Sequence, residues 1–196
     1  MRRLLIATTN AHKLREIRGL LAGAPIELVG LSDLPPVPEP EETGETFQAN
    51  ARLKALYYAS HHSLLTAAED SGLVVDALDG EPGVLSARFL RPDASYPERF
   101  AEISRRLAER PQAPRTARFV CALAVARGAE VLFETTGAVE GDISDAPHGS
   151  AGFGYDPIFY YRPYGRTFGE VTDEQKLCVA HRGHAFRRLS EWLRKS

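Results

Sequence analysis

Five short stretches of this 196-residue chain carry residues whose types and spacing could do chemistry. The first is Glu69-Asp70, two acids that follow the apolar run Leu64–Ala68. Adjacent carboxylates at the end of an apolar strand are costly unless a positive charge meets them. Mg2+ answers that need, because it takes one or two carboxylates, several waters and phosphate oxygens. A carboxylate beside such a metal is also placed to accept a proton from an attacking water. A solvated turn closed by Ser71-Gly72 accounts for the same residues without any metal. The second stretch, Glu41-Glu42, is by itself a surface charge run. It completes a metal site with Asp70 only if folding brings the two segments together.

The third stretch is Thr8-Thr9-Asn10-Ala11-His12-Lys13. Hydroxyls, an amide, a helix start and a lysine lie within six residues, and backbone N–H groups at a helix start favour anions. It is not a Walker loop, since GxxxxGK[ST] occurs nowhere in the chain, and an N-capped helix with an exposed lysine is its plain alternative. The fourth is Gly152-Phe153-Gly154-Tyr155-Asp156-Pro157. Two glycines around an aromatic let backbone approach a flat ligand, and Phe or Tyr can stack on a base. A tight turn with core aromatics fits the same pattern. The fifth is Lys176, His181, Arg182 and His184. No cysteine or carboxylate nearby completes a zinc set with the histidines, so donors for a base carbonyl or a phosphate fit better.

The bulk composition narrows the function classes. A formal net charge of −2 argues against a protein that coats nucleic acid by bulk electrostatics, while leaving room for a small polyanion held by local cations. Cys121 and Cys178 form no CxxC pair and suggest neither a disulfide framework nor a zinc site. There is no apolar run of about 18 residues to span a bilayer, and the opening MRRLLIATTN is too short in its apolar part for a signal peptide. A cytoplasmic protein is expected.

The elements that must position these residues are legible in outline. Arg3–Thr8 reads as a strand, and the following segment as a helix with Leu14, Ile17 and Leu21 on one stripe and Gly23 as its stop. Ile26–Leu31 is a second strand. Four prolines make residues 35–40 a loop that delivers Glu41-Glu42. A helix from Thr46 places Phe47, Ala51, Ala55 and Tyr58 on an apolar stripe, with Asn50 and Lys54 together on another. Leu64–Glu69 reads as a strand ending in Glu69-Asp70-Ser71-Gly72, with a further strand over Leu73–Leu78. Ser95-Tyr96-Pro97-Glu98 is a capping box opening a helix to about Glu109. Thr116–Ala126 and Glu130–Glu140 form a hairpin around Arg127-Gly128-Ala129. The glycine-rich loop leads into a strand at Ile158–Tyr161, a second capping box opens at Thr172, and a last helix runs from His184 to about Arg194. Mingled strands and helices with a hairpin predict a mixed α/β sheet in a single domain of residues 1–196.

In this order along the chain, ATTNAHKLREI, EETGETFQANARLKA, AEDSGLVVDALDGEPGVLSARF, GFGYDPIFY and AHRGHAFRRL resemble the inosine triphosphate pyrophosphatase family, also called dITP/XTP pyrophosphatases. The resemblance covers Leu5 to about Leu189. It implies an elongated mixed α/β fold with two lobes around a cleft, a homodimer, and hydrolysis of ITP, dITP or XTP between the α- and β-phosphates, clearing aberrant nucleotides from the pool. On that pattern Thr8, Thr9, Asn10, Ala11, His12 and Lys13 hold the triphosphate. Glu42 and Asp70 bind Mg2+, and Asp70 accepts the proton. Ser71 touches the nucleotide, and Phe153, Gly154, Tyr155 and Asp156 line the base and sugar site. Lys176, His181 and Arg182 contact the nucleotide, the last two near the base. Lys54, placed beside Asn50 on its helix, is expected to balance charge on the leaving pyrophosphate. The chain departs from the family pattern at Glu69, where aspartate is common, at Ala49 in place of a glutamate and at Ala180 in place of a serine. A pyrophosphatase of pyrimidine or modified nucleotides, and a nucleotide-binding module without catalysis, are the alternatives.

Overall fold

The computed structural model describes residues 2–195. Its backbone is organised by one seven-stranded sheet in the order β2-β1-β3-β4-β5-β6-β7. The strands are β1 (Arg2–Ile6), β2 (Ile26–Gly30), β3 (Leu65–Val75), β4 (Thr116–Arg127), β5 (Glu130–Ile143), β6 (Phe159–Tyr161) and β7 (Arg166–Thr167). β1 pairs in parallel with both β2 and β3, whereas β5, β6 and β7 pair antiparallel, so the sheet is mixed. The helices are α1 (Ala11–Leu20), α2 (Phe47–His62), α3 (Tyr96–Ala108), α4 (Asp173–Val179) and α5 (His181–Lys195). The expected mixed α/β class is therefore observed. Among the described residues no helix is long and apolar enough to cross a membrane.

The chain divides into two compact units. The first holds residues 1–70, 121–137 and 181–196. Its core gathers Leu4 and Ile6 of β1, Ile17 of α1, Leu65 and Ala67 of β3, Leu123 and Val125 of β4, and Ala185, Phe186 and Leu189 of α5. The β1–α1–β2 crossover follows from the parallel pairing, which requires a helix to return the chain to the same end of the sheet. The second unit holds residues 71–120 and 138–180 and packs Leu73, Phe100, Ile103, Phe119, Phe159 and Phe168.

Local signals placed most element starts correctly. Asn10, Thr46, Ser95 and Thr172 each cap a helix through a side-chain oxygen, and both predicted capping boxes are formed. Three expectations need correction. The acids 69 and 70 do not end a strand: β3 runs unbroken through Glu69-Asp70-Ser71-Gly72 to Val75. Ser71-Gly72 reads as a turn in sequence, but the glycine serves a close approach. A Cβ on Gly72 would lie 2.3 Å from the Ser86 hydroxyl and 2.6 Å from the Gly83 carbonyl. That hydroxyl accepts from Leu73 N–H and donates to Gly83 O, so it has no freedom to move aside. Leu73–Leu78 is likewise strand only to Val75, with a 3-10 turn over Asp76–Leu78. The last helix starts at His181, three residues before the predicted start. There Leu193, not Trp192, completes the buried stripe, and Trp192 stacks on Phe133 at 5.3 Å.

Gly72→Ala is expected to lower stability by about 2 kcal/mol, the usual scale for an overpacked interior site. Urea unfolding checks it, and an unchanged midpoint would contradict the close approach of Gly72 to Ser86.

Candidate active site

In the first unit, the alternation of β3 decides what its two acids do. Successive strand side chains point to opposite faces, and Glu69 and Asp70 consequently meet different partners. Glu69 is 4% exposed. Its carboxylate receives the Lys13 ammonium at 2.8 Å, the Arg182 guanidinium at 3.1 Å and the Cys121 thiol at 3.0 Å. Arg182, 1% exposed, also donates to Glu16 at 2.7 Å. Burial alone would raise the Glu69 carboxyl, yet Arg182, Lys13 and the Cys121 hydrogen bond together hold it well below the usual carboxylate range. The Cys121 thiol is pushed up, first by burial and then by Glu69, so it stays protonated.

Asp70, 6% exposed, turns to α2. Asn50 donates to it at 3.1 Å, and the Lys54 ammonium lies 3.5 Å away. Lys54 also meets Glu42 at 2.5 Å, so one ammonium stands between the two carboxylates. Asn50 accepts from Gly44 N–H at 2.7 Å and thereby ties the 41–44 segment to the same place. Here the balance of charge runs the other way. Burial raises the Asp70 carboxyl, Lys54 opposes, Glu42 adds to the rise, and the net shift is upward. Lys54 itself is raised despite its burial, by Asp70 and Glu42, and stays charged. Glu41, the other half of that acidic pair, is exposed.

The helix start beside these acids is built by Asn10, whose side-chain oxygen accepts from His12 N–H at 2.9 Å and Lys13 N–H at 3.1 Å. That oxygen serves as the helix cap. Thr8 accepts from Asn10 N–H, and Thr9 donates to Glu39 at 2.7 Å. Thr9, Asn10, Ala11 and His12 are exposed, and Thr8 and Lys13 half-buried, at the N-terminal end of a ten-residue helix.

The second unit holds the glycine-aromatic loop. Asp156 is buried and accepts from Phe153 N–H at 2.7 Å and from the Lys176 ammonium at 2.6 Å. Lys176 also sits 4.6 Å from the Phe153 ring centroid, a cation–π contact. Tyr155 is buried, its hydroxyl donating to Ser86 O at 2.9 Å. Asp156, Tyr155 and Lys176 brace the loop through these contacts, and Phe153 and Gly154 are its more open members. Ser71 is half-buried on β3. Of the expected base contacts in the first unit, His181 is 4% exposed. Arg182 is 1% exposed, and its guanidinium donates to Glu16 and Glu69.

The metal expectation is chemically coherent with this geometry. Among the described residues no three His, Cys, Asp or Glu side chains come together. Two carboxylates share one ammonium, and the Asp70 carboxyl is raised first by burial and further by Glu42. Glu69 is not part of that set, since its neighbour on β3 faces the other way and its own charge is already matched.

A model of the Ham1 family matches residues 4–192. The chain belongs to the Ham1 family. It is 44% identical to a dITP/XTP pyrophosphatase of Geobacter sulfurreducens, over 98% of this chain and 97% of that one. A dITP/XTP pyrophosphatase of Symbiobacterium thermophilum is 47% identical, over 98% and 95%. Among solved structures, a HAM1 protein from Coxiella burnetii superposes with a TM-score of 0.93 at 36% identity, with both chains fully covered. Within this Ham1 chain, reasoning on sequence overlooked Asn50 as the link between the 41–44 segment and Asp70, and Glu16 as the second partner of Arg182. The signal for Asn50 was present: a polar residue four before Lys54 on an otherwise apolar-facing helix. Nothing in the sequence flagged Glu16.

The sign of the Glu69 shift sets a stability prediction. A depressed carboxyl stabilises the fold above its unfolded value of 4.5 and loses that contribution as pH falls through the lower folded value. In metal-free buffer, Tm should therefore fall below about pH 4.5. Glu69→Gln should flatten that limb and cost roughly 3–5 kcal/mol at neutral pH, as breaking a buried pair does. Calorimetry across pH checks both, and an unaltered acid limb in the variant would contradict them.

Proposed function

We propose that this chain hydrolyses dITP, ITP and XTP to the nucleoside monophosphate and pyrophosphate, with Mg2+ held by Glu42 and Asp70. The observation that carries the reading is the gathering of those two acids around Lys54, next in the fold to a helix start rich in phosphate-binding groups. Full-length likeness to dITP/XTP pyrophosphatases supports it.

Hydrolysis of a phosphoanhydride depends on positioning and charge neutralisation more than on covalent chemistry. Bound Mg2+ would supply positive charge shared between the carboxylates and phosphate oxygens. The segment Thr8 to Lys13, which opens α1, receives the triphosphate through the positive end of the helix dipole and the Lys13 ammonium. Lys54 balances charge on the departing pyrophosphate. Asp70 takes the proton of the attacking water. Asn50 donates to Oδ2 of that carboxylate and the Lys54 ammonium lies 3.5 Å from Oδ1, which orients it. Ser71, Phe153, Gly154 and His181 are assigned to the nucleoside.

Selectivity rests on the 6-position of the purine. Hypoxanthine and xanthine present a carbonyl, which N–H donors match, whereas the amino group of adenine leaves them unpaired. Such sites discriminate more strongly than sites that measure size. A homodimer acting in the cytoplasm accompanies this reading, supported by the family resemblance.

With Mg2+ present, dITP and XTP should release pyrophosphate and monophosphate with kcat/KM at least about 100-fold above ATP and dTTP. Release of orthophosphate, or equal use of ATP, would refute the assignment, and binding without turnover would favour a non-catalytic module. Asp70→Asn should lower kcat by about 10² to 10³. Because burial disfavours the ionised aspartate, the same variant should keep or raise Tm, and a variant that is inactive only because it unfolds would count against the role.

A further inference from the structure

We infer that Glu69 is a positioning residue for this reaction: its buried carboxylate holds the Lys13 ammonium in place at the phosphate-binding helix start. The inference rests on the proposed role of Lys13 toward the triphosphate and adds the residue that sets it.

A lysine near a helix N-terminus carries about 2 kcal/mol of rotamer entropy and would otherwise sample many positions. Here its Nζ lies 2.8 Å from Glu69 Oε1, and the lysine side chain is 18% exposed against 2% for the glutamate. The acceptor is itself fixed. Arg182 donates to both Glu69 oxygens, at 3.1 and 3.3 Å, and the Cys121 thiol donates to Oε2. Arg182 is in turn held by Glu16 at 2.7 Å. Lys13 and Glu16 are three residues apart on α1, so they share a helix face. The chain Lys13–Glu69–Arg182–Glu16 thus begins and ends on the same helix, and it brackets the first turn of α1 against β3 and α5. Only its first member reaches toward solvent.

An ammonium has three donors. One directed at Glu69 leaves two for phosphate oxygens, in a direction the bracket fixes before substrate arrives. Pre-set geometry of this kind matters: displacement of a charged group by about 1 Å can cost on the order of 100-fold in rate. Glu69 contacts neither substrate nor metal in this scheme and acts only through Lys13.

A structural role for Glu69, as counter-ion to Arg182 alone, would affect activity independently of Lys13. A double-mutant cycle separates the two. In kcat/KM for dITP with saturating Mg2+, Glu69→Gln is expected to lose about 10- to 100-fold in the otherwise unaltered enzyme and less than about twofold when Lys13 is already Met. Glu69→Asp keeps the charge, shortens the arm by one methylene and serves if Glu69→Gln fails to fold. It should lose activity with the same dependence on Lys13 while its Tm stays near that of the unaltered enzyme. Additive losses in the cycle would overturn the inference. So would a fall in KM on Glu69→Gln, which would mark Glu69 as a competitor of phosphate for Lys13. If the unaltered chain releases no pyrophosphate from dITP, the functional reading itself fails; if it does and the cycle is additive, only the role of Glu69 fails.

Discussion

Carboxylates buried in a strand must be met by positive charge, because the desolvation of an isolated ion is far larger than a domain's whole stability. β3 carries two of them in succession, and strand alternation turns them toward different hydrogen-bond partners. The first unit is arranged around that constraint. Glu69 draws in Lys13 from α1 and Arg182 from α5, and Arg182 draws in Glu16. Asp70 draws in Asn50 and Lys54 from α2, and Lys54 draws the 42 position into the same place. Every charged group proposed to meet the phosphates is therefore brought there by the cost of burying a neighbour.

The two acids come out with opposite characters for the same reason. Glu69 has two cations and a thiol donor and is held ionised; Asp70 shares a single ammonium with Glu42 and is pushed toward its neutral form. Environments that push paired carboxyls apart separate a group that holds charge in place from one that exchanges a proton. A sequence in which Glu69 and Asp70 stand side by side gives no hint of this, because the difference lies in which residues from distant segments face each side of the strand.

What the sequence made legible was local. Caps at Asn10, Thr46, Ser95 and Thr172 announced their helices because a side-chain oxygen satisfies N–H groups two or three residues away. The Asn50–Lys54 stripe was readable from helical spacing alone. Ser71-Gly72 misled, since glycine signals either a turn or a close approach, and only Ser86, fourteen residues on from Gly72, decides which. Arg182, Asp156 and Lys176 have structural partners that their sequence blocks do not announce: one buried ion pair braces the loop that presents Phe153 and Gly154, and another fixes α1. Sequence order groups the candidate residues and carries no trace of these long-range partners.

The same electrostatics bear on how a divalent cation fits this chain. Glu42 and Asp70 already accommodate one positive charge, that of Lys54, and no third acid joins them among the described residues. A small hard cation wants about six oxygens in octahedral array, of which two carboxylates would supply a minority and water or phosphate the rest, and here the Lys54 ammonium competes for the carboxylates. Phosphate oxygens change the balance, because they add acceptors for the cation and a new partner for Lys54 at once. The acids are therefore suited to a metal that comes with its triphosphate and poorly suited to one held permanently, and Lys54 keeps the apo site neutral enough to stay folded around two acids with no substrate present.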